Sequence, residues 1–364
     1  MIMSDLPPDL VDEILCRVPA TSLKRLRSTC KRWNALFKDR VFTEKHFHKA
    51  PKQSLVFALK YEEPYALEES NAFLVSVSLD APSPSIEIKV ALSLMDPASS
   101  SKEVGIDEII HCDGLLLCIT NMDDRIVVWN PCSGETRWIQ TEPYYYLFAL
   151  GHDNNKLCHA YKILMFYRRN NIDVFEIYEL SSDSWRVLDD VTLDWSFEPT
   201  CVSLEGNSYW YSSDQKDAFL ISFDFRRERF RGLCLPTFQS HGRICLSVVR
   251  EEQLSVLHKC YNTSKMEVWV TSKIDTEAAL WTKSFTVDLH NDFDKVPFRF
   301  LIDEEKKVVV CCNVDMMVYT IDKYNAESSS VVSSTVLSWH PLIYSYVPSL
   351  VQIQQSSGKR KERN

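Results

Sequence analysis

The sequence predicts a mainly β protein with a small α-helical domain at its N-terminus. Helical spacing of apolar residues is confined to the first fifty residues, whereas the following three hundred consist of short apolar or alternating runs separated by polar turns. Within those three hundred residues one hairpin pattern recurs every 45 to 50 residues, which is typical of a repeated β unit.

Residues 8–18 predict the first helix. Its apolar residues recur at helical spacing and form one face, which comprises Leu10, Val11, Ile14, Leu15 and Val18. Pro8 suits the first helical position, where no backbone N–H is needed, and Pro19 ends the helix. A second helix is expected to start near Thr21 or Ser22, and a third to contain Trp33. Three short helices bury little apolar surface by themselves, so we expect part of that surface to meet a partner.

The order of residues in this region resembles an F-box. The matching positions are Leu6, Pro7, Leu10, Glu13, Ile14, Leu15, Val18, Pro19, Ser22, Leu23, Arg25, Leu26, Cys30, Lys31, Trp33, Asn34, Leu36, Phe42 and His46. The resemblance implies a helical module that docks onto a Skp-type adaptor and, through it, onto a cullin and a RING protein. It implies that the adaptor is bound by Leu6, Pro7, Leu10, Ile14, Leu15, Val18, Pro19 and Leu23.

Two alternatives for the N-terminal region stay open at this point. The helices could be a small cap packed on the large domain. The basic residues between Lys24 and Arg32 could bind RNA, although such a run is more often the solvated face of a helix.

The repeated hairpin of the large domain has an aromatic residue near the end of its first strand. These aromatics are Trp129, Tyr178, Phe223, Trp269 and Tyr319, at intervals of 49, 45, 46 and 50 residues. A further strand precedes each hairpin, and a similar unit precedes Trp129, which gives about six units. One unit cannot bury both faces of its sheet, so such units stack around an axis as the blades of a β-propeller. The alternative is one irregular β-sandwich.

These units resemble the kelch-like F-box-associated interaction domain of plant F-box proteins. The matching residues are Cys112, Gly114, Leu115, Leu116, Cys118, Trp129, Asn130, Pro131, Phe148, Gly151, Asp153, Tyr161, Lys162, Tyr178, Ser182, Ser184, Trp185, Arg186, Gly206, Asn207, Tyr209, Trp210, Phe223, Asp224, Glu228, Phe230, Leu235, Pro236 and Trp269. His152 departs from the aromatic that the family favours there. The expected organisation is an F-box at 1–50, a kelch-like propeller at 51–353 and a disordered basic tail at 354–364, whose KRK could aid nuclear import.

Motif residues of the large domain predict architecture rather than chemistry. Asn130-Pro131 should start a turn, Gly114 should occupy a position that a side chain would block, and the tryptophans should pack between blades. The segment 348–353 is expected to be the strand that closes the ring.

The resemblance implies the substrate-recognition subunit of an SCF-type cullin–RING ubiquitin ligase, with no catalytic site of its own. The sequence contains no nucleotide-binding, zinc-protease or nucleophile-elbow motif, and its cysteines and histidines lack metal-ligand spacing. We therefore expect no cofactor and no metal, while a motif-free enzyme on a propeller stays open. The alternative function is an F-box protein, or a ligand- or glycan-binding propeller, that acts outside the ligase.

The target protein is expected to bind loops on one face of the propeller, because the strands are occupied by packing. The predicted contact residues are the aromatics Tyr144, Tyr145, Tyr146, Trp195 and Phe197, since tyrosine and tryptophan are frequent interface anchors. The alternative is that these aromatics pack in strands or between blades.

Charge and composition exclude several classes of partner. The net charge is −9, and residues 51–358 carry 27 basic against 43 acidic residues, which disfavours nucleic-acid binding by the large domain. No apolar run of membrane-spanning length and no secretory signal are found, so we expect a cytoplasmic or nuclear protein without membrane contact. In that reducing environment the twelve cysteines are expected to be mostly buried free thiols.

Overall fold

The structure, a computed structural model, describes most of the helical region and the strands of the β domain. The described residues are 6–52, 55–61, 72–78, 85–92, 94–97, 104–120, 124–141, 147–153, 160–169, 172–189, 191, 198, 200–213, 218–263, 265–274, 278–288, 297–303, 307–313, 318–322 and 340–353. The predicted tail at 354–364 lies outside these residues.

The N-terminal region forms four helices, one more than the sequence predicted. They are α1 (Pro8–Leu15), α2 (Ala20–Leu26), α3 (Lys31–Leu36) and α4 (Arg40–Lys49). The first begins at Pro8, as expected, and the second begins directly after Pro19. The additional helix, α4, is capped at its N-terminus by Asp39, whose side chain accepts a hydrogen bond from the backbone N–H of Phe42 at 3.0 Å. We call these four helices the helical module.

The described part of the β domain forms six sheets, which confirms the predicted propeller. Blade 1 contains β1 (Leu55–Tyr61), β2 (Ala72–Ser78), β3 (Ser85–Leu92) and β23 (His340–Tyr346), and blade 2 contains β4 (Ile106–Cys112), β5 (Leu115–Thr120), β6 (Arg125–Asn130) and β7 (Glu135–Gln140). Blade 3 contains β8 (Leu147–Asp153), β9 (Ala160–Arg169), β10 (Ile172–Glu179) and β11 (Ser184–Val187), and blade 4 contains β12 (Cys201–Leu204), β13 (Asn207–Ser213), β14 (Ala218–Asp224) and β15 (Arg229–Cys234). Blade 5 contains β16 (Gly242–Val249), β17 (Gln253–Cys260), β18 (Lys265–Ile274) and β19 (Ala279–Asp288), and the described part of blade 6 contains β20 (Pro297–Asp303), β21 (Val308–Asn313) and β22 (Val318–Asp322).

The ring is closed by pairing the two ends of the β domain. Strand β23 lies beside β1, with Leu55 opposite Tyr346 and Tyr61 opposite His340. The inner strands then contact one another around the whole ring, in the order β23, β4, β8, β12, β16, β20. The prediction that 348–353 is the closing strand was wrong. The closing strand ends at Tyr346, and the segment after it carries no strand pairing and runs beneath blade 2.

The predicted hairpins are the third and fourth strands of the blades. Tyr178 lies opposite Trp185 in blade 3, and Phe223 lies opposite Phe230 in blade 4. Because the strands of each blade are antiparallel, the turn between its first two strands and the turn between its last two lie on the same face of the ring. We call this the module face, and the opposite one the distal face.

Neighbouring blades are joined by contacts that repeat with the sequence period. The indole N–H of Trp185 donates to Gln140 O of blade 2 at 3.3 Å, and that of Trp281 donates to Cys234 O of blade 4 at 2.9 Å. The predicted position of tryptophans between blades is thereby confirmed for these two. A buried cluster that runs through blades 2, 3 and 4 supplies the apolar core between these sheets.

A second repeated contact is ionic. Arg137 of blade 2 lies 2.6 Å from Asp183 in the last turn of blade 3, and Arg186 of blade 3 pairs with Glu228 in the equivalent turn of blade 4. Asp183 and Glu228 have φ values of 60° and 53°, where glycine is usually found. The acidic side chain explains why a non-glycine residue occupies each position.

Candidate functional site

Two exposed apolar residues of the helical module lie side by side on α1, whereas the exposed Val41 of α4 stands alone. Leu10 and Ile14 are one helical turn apart and retain 46% and 39% of their exposure, while Val11 and Leu15 on the other side are buried. Pro7 is exposed, and Leu6, Val18 and Pro19 are half-buried. Of the eight predicted adaptor-binding residues, the structure therefore leaves six at least partly accessible: Leu6, Pro7, Leu10, Ile14, Val18 and Pro19.

The other two predicted residues lie inside the protein. Leu15 is buried in the core of the module, and Leu23 is fully buried in the same apolar cluster. That cluster includes Cys132 and Leu350, which belong to the β domain. The module is therefore packed against the propeller through α2.

Cationic side chains of α2 and of the residue that caps its C-terminus bind a turn of the propeller. Lys24 Nζ donates to Pro131 O at 2.9 Å, and Arg27 Nη1 donates to Ser133 O at 3.0 Å. The alternative of a fully solvated basic face does not hold for these two residues. Their role has no signal in the sequence, because the turn that they bind lies more than one hundred residues away.

The turn is held by Asn130, whose side chain is completely buried. Its Oδ1 accepts from the backbone N–H of Cys132 at 2.8 Å and of Ser133 at 3.2 Å, which confirms the predicted turn. Its Nδ2 donates to Ser349 O at 3.2 Å and Val351 O at 2.7 Å. One amide thus fixes both the turn and the C-terminal segment that carries Leu350.

The last helix of the module ends above the mouth of the central channel. His46 is buried, and its Nε2 donates to Val18 O at 2.8 Å, which ties α4 to the end of α1. Burial lowers the pKa of His46, so the ring is kept neutral. A cavity of about 400 Å³, counting space open to solvent, lies between α4 and the propeller and is lined by Lys52, Asp113 and Glu251.

Charges also join α1 to α4 on the outer side of the module. Glu13 lies 2.8 Å from Arg17, 2.7 Å from Lys45 and 2.8 Å from Lys49. Hydrogen bonds from Lys45, Lys49 and Arg17 hold the pKa of this carboxyl well below its usual range. The C-terminal half of α1 is therefore joined to α4 on this side of the module.

A partly buried ion pair lies beside the central channel, which Arg299 lines. Arg299 lies 3.0 Å from Glu108 and stacks on the ring of Tyr344 with 4.4 Å between the guanidinium carbon and the ring centroid. Burial raises the pKa of Glu108 against the attraction of Arg299. The channel has a volume of about 530 Å³, counting space open to solvent. The ion pair joins β4 of blade 2 to β20 of blade 6.

One cluster near the module has metal-ligand atom types: Cys112, Asp113 and His152 have ligand atoms within 4.8 Å of one another. Burial raises the pKa of the Cys112 thiol well above its ordinary value, so the thiol keeps its proton. Asp113 is engaged by His152 Nε2 at 2.7 Å and by the Tyr161 hydroxyl at 3.1 Å. These contacts account for the cluster as a structural polar network.

The predicted target-binding aromatics, Tyr144, Tyr145, Tyr146, Trp195 and Phe197, lie outside the described residues. They fall in the connections from β7 to β8 and from β11 to β12. The turns at Asp113 and Ser133 lie on the module face. Since the strands of a blade are antiparallel, the end of β7, the start of β8, the end of β11 and the start of β12 lie at the distal face.

The described geometry defines a class of protein. It is a six-sheet β-propeller with a helical module docked on one face, an exposed apolar stripe on that module and an opposite face away from it. No helix in the described part of the chain is long and apolar enough to cross a membrane. None of the ten cysteines whose side chains the structure describes forms a disulfide, and eight of them are buried.

Comparison with known families gives this class a family. Residues 3–45 match the F-box domain, and residues 63–353 match the F-box associated beta propeller domain. The chain belongs to the F-box proteins with an F-box-associated β-propeller. An F-box protein of Arabidopsis thaliana is 50% identical over 335 residues, covering 87% of this chain and 94% of the relative. An F-box/kelch-repeat protein of the same plant is 43% identical over 397 residues, covering 99% of each chain.

Proposed function

We propose that this protein is the substrate-recognition subunit of an SCF-type cullin–RING ubiquitin ligase. The observation that carries the proposal is the exposed apolar stripe of Leu10 and Ile14 on a module whose family docks onto a Skp-type adaptor. Such a stripe is suited to the apolar centre of an interface, where a few residues supply most of the binding energy. The adaptor in turn connects the protein to a cullin and a RING protein.

The target protein binds the distal face of the propeller. The module covers the opposite face, where Leu23 is fully buried and the channel mouth lies beneath α4. An adaptor on α1 and a target on the distal face occupy separate surfaces, so both can bind at once. Tyr145 and Trp195, in the connections from β7 to β8 and from β11 to β12, are the residues to test.

The adaptor test uses the variant Leu10→Asp/Ile14→Asp. A charge at either position in a desolvated interface is expected to lower the affinity for a Skp-type adaptor by at least about 100-fold. The matched control is Ile172→Asp, because Ile172 is a 66% exposed apolar residue of blade 3, far from the module in the chain. The control should bind the adaptor normally. Equal adaptor affinity for wild type and Leu10→Asp/Ile14→Asp would overturn the assignment.

The target test compares the wild-type chain with Leu10→Asp/Ile14→Asp by affinity purification and mass spectrometry under proteasome inhibition. The target should copurify with both proteins, but its ubiquitinated form only with the wild type. Tyr145→Ala and Trp195→Ala, checked for folding by circular dichroism, should then reduce target binding. If both fold and bind the target normally, these two residues are not its contacts.

A further inference from the structure

The module and the propeller are connected in two ways. Along the chain, only residues 50–54 separate the end of α4 from the start of β1. In space, Lys24 and Arg27 donate to the carbonyls of Pro131 and Ser133, and these charge-assisted hydrogen bonds lie at the edge of a buried apolar contact. A connection of five residues restrains distance but not angle. The angle between the two bodies must therefore be set by the spatial contacts.

These contacts depend on Asn130. Its amide uses two donors and both accepting directions of its oxygen, and it joins the turn that α2 binds to the segment 349–351. Leu350, in the middle of that segment, packs in the apolar cluster of the module. The side-chain amide of Gln352 adds a bond to Lys38 O, at the end of α3. The module is thus held by the turn and by the C-terminal segment together.

We propose that Lys24, Arg27 and Asn130 are positioning residues that fix the angle between the F-box and the propeller. This inference rests on the proposed ligase function for its consequence: a target on the distal face would be held at a set distance and direction from the ubiquitin-carrying enzyme. Proximity and orientation govern the rate of such a transfer, and small misplacements slow it strongly. None of the three residues belongs to the exposed apolar stripe of α1, and each contacts the other body or the segment that holds it, so they act through geometry.

The test compares Lys24→Ala/Arg27→Ala with two matched proteins. The control is Arg25→Ala/Lys31→Ala, which also removes two exposed cations from α2 and α3. The rescue is Lys24→Arg/Arg27→Lys, which keeps both charges and one donor group at each position, but not the second bond, which Arg27 Nε donates to Asn34 Oδ1 at 2.8 Å. The first readout needs no ligase activity: hydrogen exchange of the amides in residues 132–134 and 349–353 should become roughly 10-fold faster in the alanine variant alone. Small-angle scattering of the adaptor complex should show a larger maximum dimension for that variant.

The second readout is self-ubiquitination in a reconstituted ligase. The maximal transfer rate of Lys24→Ala/Arg27→Ala should fall about 10-fold, while its affinity for the adaptor and the KM for the charged conjugating enzyme stay at wild-type values. The rescue variant should restore the rate. Asn130→Asp, which removes the donors to Ser349 and Val351, should speed exchange in the same two segments.

Each outcome bears on one idea. Unchanged exchange and scattering in the alanine variant overturn the positioning role, whether or not the ligase is active. Faster exchange with an unchanged transfer rate overturns the claim that the angle matters for transfer. Loss of adaptor binding by the wild-type chain overturns the proposed function but leaves the exchange result standing.

Discussion

Replacing Gly114 by alanine should destabilise the propeller more than an ordinary glycine substitution in a turn. Gly114 has φ +84°, a conformation that L side chains rarely adopt. A Cβ at this position would lie 2.3 Å from Ser349 Oγ and 2.8 Å from the backbone nitrogen of Ser349. Rotation of the serine side chain relieves only the first contact, because the second involves the backbone. The C-terminal segment must therefore move.

Two other glycines separate the backbone effect from the steric one. Gly134 has φ +79° and no atom within 4 Å of its Cβ position, so alanine there meets only the backbone conformation. Gly151 has no such φ, but its Cβ would lie 2.2 Å from the Phe225 ring and 2.3 Å from Gly206 O. Alanine there meets only the close approach.

The magnitudes follow from these contacts. The left-handed conformation costs alanine about 1–2 kcal/mol, of which about 0.4–1 kcal/mol is offset by lower entropy of the unfolded chain. Overpacking adds about 1–3 kcal/mol. We expect Gly134→Ala to lower the free energy of unfolding by about 1 kcal/mol, and Gly114→Ala by about 2–4 kcal/mol.

Urea unfolding followed by tryptophan fluorescence measures these differences in the free energy of unfolding. We expect Gly151→Ala to destabilise the protein more than Gly134→Ala does. Hydrogen exchange of residues 347–353 adds a local readout, because displacement of Ser349 should loosen this segment only in Gly114→Ala. If Gly114→Ala and Gly134→Ala are equally stable, the close approach of the C-terminal segment to this turn is not a constraint on the fold.

Three further predictions concern ring closure, the ion pair between Arg137 and Asp183, and the pH dependence of the helical module. A chain that ends at residue 339 lacks β23 and should lose cooperative unfolding of the propeller. A chain that ends at residue 347 keeps the ring closed but loses Leu350 from the contact with the module. Equal melting curves for the two chains would refute the role of β23 in closing the ring. Asp183→Asn removes the charge opposite Arg137 and should lower the free energy of unfolding by about 0.5–1 kcal/mol in low salt. This difference should become smaller at 1 M salt, where the screening length is about 3 Å, and a difference that does not change with salt would contradict an ionic contribution. Because burial lowers the pKa of His46 in the folded state, the contribution of the neutral ring to stability is fully present above the unfolded pKa of about 6.5 and is lost as the pH falls below it. His46→Gln should weaken this pH dependence and the exposed His48→Gln should not; identical pH profiles of melting for all three proteins would refute the role of His46.

Local patterns in the sequence were sufficient for the elements and their repetition. The aromatic hairpins at Tyr178 and Phe223 pair as predicted, and the Asn130 turn and the constrained Gly114 were both recognisable. Each of these features is decided by residues within a few positions of one another. The residue types of the turns and the period of 45–50 residues are therefore sufficient to predict these features.

The fourth helix and the closing strand were harder to predict. Helix α4 has apolar residues on no clear stripe, and its buried face includes Thr43 and His46. Strand β23 and segment 348–353 both contain apolar residues, so composition does not distinguish the strand that pairs with β1 from the segment that passes under blade 2. Which of the two segments becomes a strand depends on pairing with β1, which lies far away in the sequence.

For the candidate site, the sequence by itself determined which helix face is apolar, but only the tertiary structure decided how that surface is divided. Leu10 and Leu23 both match the family motif, yet Leu10 stays exposed and Leu23 is covered by a turn more than one hundred residues away. Lys24 and Arg27 resemble any solvated basic residues until Pro131 and Ser133 are brought beside them. The physical reason is that a helix fixes which residues share a face, whereas the surface that covers this face is contributed by distant parts of the chain, and contacts of that kind leave no periodic trace in the sequence.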